Sequence, residues 1–104
     1  MNTHIYAETP VQVDPEGYLA QPGQWTPPIG EAIAAELGVT LGPDHWEVIN
    51  FAREDHADSG KSPGLRRVTQ RTSVKMKRLY QLFPGGPGKK LARIAGIPKP
   101  KSCL

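Results

Sequence analysis

Cys103 is the one thiol in 104 residues, and its surroundings decide what it could do. It follows Pro98 and Pro100, lies between Ser102 and Leu104, and has little core to be buried in. A free cysteine is more often a small buried hydrophobe; this position argues for an accessible thiol. With an unperturbed pKa of about 8.5, a few per cent is thiolate at neutral pH. Lys99, Lys101 and Arg93 favour the anion wherever they approach it, while the carboxylate of Leu104 opposes it. A nucleophile on rigid structure beside a base suits catalytic turnover. A thiol on an arm suits the delivery of a group from one protein's pocket to another's. His4, His45 and His56 all fall in the first 60 residues, so nothing in the spacing supports a Cys–His pair.

Other chemistries find less support. His45 and His56 are eleven residues apart, which on one helix separates them by about 16 Å along the axis. They cannot share an ion and are expected at solvated helix positions, so no metal site and no cofactor are expected. The charges are sharply divided. All ten acids lie in residues 1–60 with Arg53 as the sole base, a net −9; residues 61–104 hold twelve bases and no acid, a net +12. Either the halves neutralise one another within the fold, or a basic face carrying Arg66, Arg67, Arg71, Lys75, Lys77, Arg78, Lys89 and Lys90 meets an anionic partner. A nucleic-acid-binding regulator is one form of the second case: it predicts steep salt dependence and no need of Cys103.

One cysteine cannot close an intramolecular disulfide. The first residues lack a basic patch followed by an apolar run, so no signal peptide is expected. No apolar stretch approaches the roughly 20 residues that span a bilayer. A soluble cytoplasmic protein without membrane contact is therefore expected.

The chain length suits one small domain over residues 1–96, with residues 97–104 as a mobile arm. Residues 3–7 and 10–13 read as strands, and Asp14-Pro15-Glu16-Gly17 as a turn into an extended Tyr18-Leu19, giving an N-terminal β-hairpin. Thr26-Pro27 reads as a cap and first turn for a helix closed by Gly38; Pro43-Asp44 starts a second, running to about Ala57. Ser62-Pro63 starts a third. Ser73 caps a fourth over Val74–Phe83, with Met76, Leu79, Tyr80 and Phe83 on one side. Lys89–Ala95 forms the last, ending at Gly96. The fold class is mainly α (α+β): a small helical bundle with an N-terminal hairpin and a C-terminal arm.

Several runs carry a resemblance to a known family. Leu82-Phe83-Pro84-Gly85-Gly86-Pro87 and Ala95-Gly96-Ile97-Pro98-Lys99-Pro100-Lys101-Ser102-Cys103 match its LFPxGP and AGxPKPxxC motifs. Asp14–Leu19, Trp25, His45–Phe51 and Ser62-Pro63 with Arg66 also fit. From residue 11 onwards the chain resembles the DsrC/TusE family of sulfur-relay proteins. The resemblance implies that Cys103 accepts sulfane sulfur as a persulfide, acting as a sulfurtransferase-type carrier more than as a turnover enzyme. It implies an upstream sulfur-donor relay protein and a downstream acceptor. In TusE that acceptor is a tRNA thiolase making 2-thiouridine at the wobble position, with tRNA in the acceptor complex. In DsrC the cysteine works with a second one, eleven residues upstream, in dissimilatory sulfur metabolism with sulfite reductase. Here that position is Ala92, and the stretch Arg67–Gln81 is shorter than in DsrC proteins of sulfite-reducing systems. Both departures favour a single-cysteine, TusE-like carrier, with a sulfur-oxidation pathway as the alternative.

Overall fold

Two residues with positive φ, Ala7 (51°) and Glu8 (61°), turn the chain back on itself. They join β1 (Asn2–Tyr6) to β2 (Thr9–Val13), antiparallel, with Tyr6 opposite Thr9 and Asn2 opposite Val13. The computed structural model describes residues 2–101. Period-two alternation buries Val11 and Val13 and leaves Gln12 exposed. The Asp14–Gly17 turn forms as its chemistry dictates: Asp14 Oδ1 accepts the N–H groups of Glu16 and Tyr18, and Gly17 takes φ 92°. The strand expected after it is only a single bridge, Val13 to Leu19, so the ladder lies before this turn.

Helices follow: α1 (Pro27–Glu36), α2 (Pro43–Ser59), α3 (Leu65–Arg71), α4 (Met76–Leu82) and α5 (Pro87–Ala95), with a short 3₁₀ turn at Pro22–Gln24. Prolines stand at the first positions of α1, α2 and α5, where no N–H is needed. Thr26 precedes α1 as expected, but its side chain makes no capping bond. α2 runs two residues beyond Ala57, to a left-handed Gly60. α5 starts two residues before Lys89.

The two serine starts need correction. α3 begins at Leu65 after Gly64, and the Ser62 hydroxyl instead bonds the carbonyl of Pro98. α4 begins at Met76 after Lys75, because the Ser73 hydroxyl and N–H both bind the Glu47 carboxylate. In each case a distant partner outcompetes the local cap. α4 also ends one residue before Phe83. Its apolar side is Leu79 and Leu82, with Phe83 buried beyond; Met76 and Tyr80 face outwards, 39% and 47% exposed. His45 is more than a solvated helix residue: its Nδ1 accepts from Gly42 N–H (3.0 Å), so Nε2–H donates to the Leu82 carbonyl (2.9 Å). The ring meets Phe83 edge-on at 5.2 Å, tying α2 to the end of α4.

α5 is the hub, packing against α1, α2 and α4, with Leu91, Ala92, Ile94 and Ala95 buried. Ile29, Ile33, Val48, Ile49, Val68, Leu79 and Phe83 fill the space around it. No helix among the described residues is long and apolar enough to cross a membrane.

The acidic and basic halves do meet. Ion pairs join Asp55 to Arg67, Asp44 to Arg78, Glu36 to Arg93 and Glu16 to Lys99. Asp55 is the one buried charged residue among those described, gripped by Arg67 Nε (2.9 Å) and Nη2 (2.7 Å). The Arg67 hydrogen bonds hold the Asp55 carboxyl below the usual carboxylate range, against the opposing effect of burial. A depressed folded-state pKa stabilises the fold above the unfolded value of about 4, and the benefit is lost as pH falls through the folded value. Asp55→Asn is therefore expected to lower Tm at neutral pH and to flatten its decline below about pH 4. An unaltered acid limb in a pH series of melts would remove Asp55 as its source.

Candidate functional site at the root of the C-terminal segment

A helix leaves its last four carbonyls without partners inside the helix. At the end of α5, where the chain departs towards Cys103, all four are satisfied. Ile97 N–H bonds the Ala92 carbonyl (3.1 Å) and Gly96 N–H that of Arg93 (3.2 Å), a Schellman pattern around Gly96 at φ 70°. Trp25 Nε1 donates to the Ile94 carbonyl (2.8 Å), and Arg53 Nη1 to that of Ala95 (2.8 Å). Arg53 also reaches the Pro22 carbonyl (3.3 Å) and stacks on the indole, its guanidinium carbon 4.1 Å from the ring centroid. Burial lowers the Arg53 pKa, but a guanidinium remains charged. Trp25 fits because Gly30 and Gly96 lack side chains: a Cβ would lie 2.9 Å and 2.4 Å from the indole at the two positions.

The chain beyond this clamp lies against the domain as far as it is described. Ile97 and Pro100 are buried, the Pro98 carbonyl takes the Ser62 hydrogen bond, and Lys99 Nζ pairs with Glu16 Oε2 at 3.0 Å. Lys101 joins Lys61, Ser62 and Gly64 in lining a cleft of about 350 Å³ at the α2–α3 loop, which Pro98 and Lys99 complete. Cys103, with Ser102 and Leu104, lies outside the described residues.

The three cations expected to support Cys103 are divided. Arg93 packs against Gly17, with its Nη2 3.5 Å from Glu36 Oε2, and its buried Nε has no hydrogen-bond partner. It lines a separate cleft of about 260 Å³ with Glu16, Tyr18, Lys89 and Lys90. Lys99 is drawn towards the same wall through Glu16. Burial pushes the Tyr18 hydroxyl up, and the nearby charges of Lys99 and Arg93 work against that shift. Only Lys99 and Lys101 share a cleft.

Reading the sequence alone misses the clamp. The sequence marks Trp25 only as part of a motif, and Arg53 only through the division of charge. Its isolation as the sole base among ten acids was the available signal. Trp25→Phe keeps most of the packing and removes the bond to Ile94. It is expected to cost about 1–2 kcal/mol in urea unfolding. A loss below about 0.3 kcal/mol would show that ring packing alone holds the helix end.

Comparison with known proteins places this geometry in context. A family model described as DsrC like protein matches residues 5–104, a span that includes the clamp and Cys103. The sulfurtransferase TusE of Escherichia coli (strain K12) is 36% identical over 107 aligned positions, covering 96% of this chain and 98% of that protein. The TusE of Salmonella typhimurium (strain LT2) is 37% identical with the same coverage. The NMR structure of Allochromatium vinosum DsrC superposes with a TM-score of 0.85 at 34% identity, covering 99% of this chain and 98% of that one. A match over nearly the whole chain in sequence and in fold, with the sequence match running on to residue 104, makes this chain a member of the DsrC-like protein family.

Proposed function

We propose that the chain is a sulfur carrier that takes a sulfane sulfur onto Cys103 and passes it on. The observation that carries this reading is that the family match extends over the AGxPKPxxC run to residue 104, with Cys103 the sole thiol in the chain. The sulfurtransferase names of its relatives support it.

The chemistry is two successive exchanges. The Cys103 thiolate attacks the outer sulfur of a donor persulfide; a new S–S bond forms, the donor's own S–S bond breaks, and the donor leaves as a thiolate. An acceptor thiolate then attacks the outer sulfur of the Cys103 persulfide, which frees Cys103 as a thiolate again. Sulfur moves at its starting oxidation level, so no oxidant or reductant is consumed. Lys99, Lys101 and Arg93 supply positive charge along or beside the segment, favouring the thiolate and the persulfide anion; Lys101, two residues from Cys103, carries most of that role. The donor is an upstream relay protein. The acceptor is a tRNA thiolase acting on the wobble uridine, a choice supported by Ala92 in place of a second cysteine. A reducing cytoplasm keeps the thiol available.

The test is the intact mass of the reduced chain after incubation with a cysteine desulfurase and cysteine, with and without candidate relay proteins. A gain of about 32 Da, one sulfur atom, is expected. No gain with any donor would retire the reading.

A further inference from the structure

We propose that the outward side of α3 and α4, with Met76 and Tyr80 exposed on α4, Lys75 and Lys77 on either side of Met76 in the chain, and Arg66 and Arg71 exposed on the adjoining α3, docks an acidic surface of the protein that donates sulfur to this chain. The inference rests on the carrier reading and adds to it the place where the partner sits and the charge it carries.

Three observations carry it. Met76 and Tyr80 are two of only three large hydrophobic side chains exposed among the described residues, and at i, i+4 on α4 they adjoin one another. Both keep more than a third of their surface open, although Leu79 and Leu82 on the same helix are buried. Aromatic, methionine and arginine side chains are the types enriched where protein partners meet.

The second observation is the charge left after the two halves have paired. Asp44 is paired with Arg78 and Asp55 with Arg67, while Glu47 is held by Ser73 and keeps its single negative charge. Arg66, Arg71, Lys75 and Lys77 are exposed and take part in no ion pair among the described residues; Arg71 leans over the Phe51 ring at 6.0 Å. A face with net positive charge and exposed apolar side chains is complementary to an acidic patch with apolar groups, and it steers that partner in.

The third is position. The described chain ends beside the α2–α3 loop, where Lys101 and Lys61 line one cleft, and α3 follows directly with Arg66 in its first turn. A partner seated on α3 and α4 therefore stands next to the point from which the chain runs on to Cys103. The two exposed apolar side chains among a small number of cations favour a protein over nucleic acid, which is instead an outcome of the test.

The test compares two sulfur donors on the full chain and on two variants, Lys75→Glu/Lys77→Glu and Met76→Ser/Tyr80→Ser. Inorganic polysulfide loads Cys103 without docking. The protein donor is the persulfidated desulfurase, together with whichever relay protein loading requires. Both variants change exposed side chains, and melting curves close to that of the unaltered chain confirm that they fold. Loading by polysulfide is expected to stay within about twofold, while loading by the protein donor falls at least about tenfold and loses most of its salt sensitivity. Equal loading of the variants by the protein donor overturns the proposal. So does loading of the unaltered chain by polysulfide alone. Failure of the unaltered chain with both donors overturns the carrier reading, and the docking proposal falls with it. An unmodified tRNA transcript that binds the unaltered chain and not Lys75→Glu/Lys77→Glu, with protein-donor transfer undiminished, assigns the face to nucleic acid and likewise overturns it.

Discussion

In Cys103→Ser the gain of one sulfur, about 32 Da, is expected to vanish with every donor, protein or polysulfide. Serine keeps the size and polarity of the position, so the variant isolates the sulfur atom itself. A thiol of ordinary pKa already supplies a few per cent of anion near neutrality, and a thiolate is an intrinsically strong nucleophile. A serine hydroxyl, whose pKa lies far above that of a thiol, offers neither. The loss should be complete, whereas neutralising Lys99 or Lys101 is expected to slow loading without abolishing it. Any sulfur remaining on the serine variant would have to sit elsewhere, and with no second cysteine in the chain that result would refute covalent carriage at Cys103.

The second large effect is structural. Gly96→Ala places a methyl group 2.4 Å from Trp25 Cδ1 and 2.8 Å from its Cγ, on a backbone held at φ 70°. Three glycines separate the contributions. Gly23 has open space and no positive φ, so Gly23→Ala is expected to be nearly neutral. Gly38 has φ 76° with nothing within 4 Å, so Gly38→Ala carries backbone strain alone, about 1–2 kcal/mol. Gly96→Ala adds crowding against an indole that is itself fixed by a hydrogen bond and a stacked guanidinium, about a further 1–3 kcal/mol. For a domain of this size the sum lowers Tm by at least about 10 °C. A melt within about 3 °C of the unaltered chain would mean that Trp25 moves aside at little cost, and that the clamp is looser than its geometry indicates.

Much of this architecture is written locally. Pro27, Pro43 and Pro87 at helix starts, and Gly38, Gly60 and Gly96 at helix ends, mark α1, α2 and α5 through backbone constraints that need no distant partner. Where the local signal fails, a long-range bond has replaced it. Ser62 and Ser73 have the chemistry of caps, but Pro98 and Glu47 claim their hydroxyls. Met76 and Tyr80 fit a helical apolar stripe by spacing, and they lie outward because α4 is short and packs through Leu79 and Leu82. The chemistry proposed for Cys103 rests on its position and motif, and the residue itself lies outside those described. The clamp is not legible in the sequence, since Arg53 meets carbonyls 31 and 42 residues away and backbone carbonyls carry no sequence signature.

The fixed end of α5 and the seated run after it also act as a ruler. Measured from Lys101, the last described residue, Cys103 is two residues on, so its backbone can travel only about 7 Å at full extension. Measured from Gly96, with Ile97–Lys101 lifted away, seven residues span about 24 Å. Release of residues 97–101 would give the tether a second, longer length. That release would expose Ile97, now 2% accessible, at about 2 kcal/mol, and would also give up the burial of Pro100 and the Ser62–Pro98 and Lys99–Glu16 bonds. A partner whose reactive sulfur lies near the surface can be served at the short length. One whose reactive sulfur lies at the bottom of a deep channel must supply that energy from its own contacts, so the depth of a partner's site becomes a criterion for whom this chain serves.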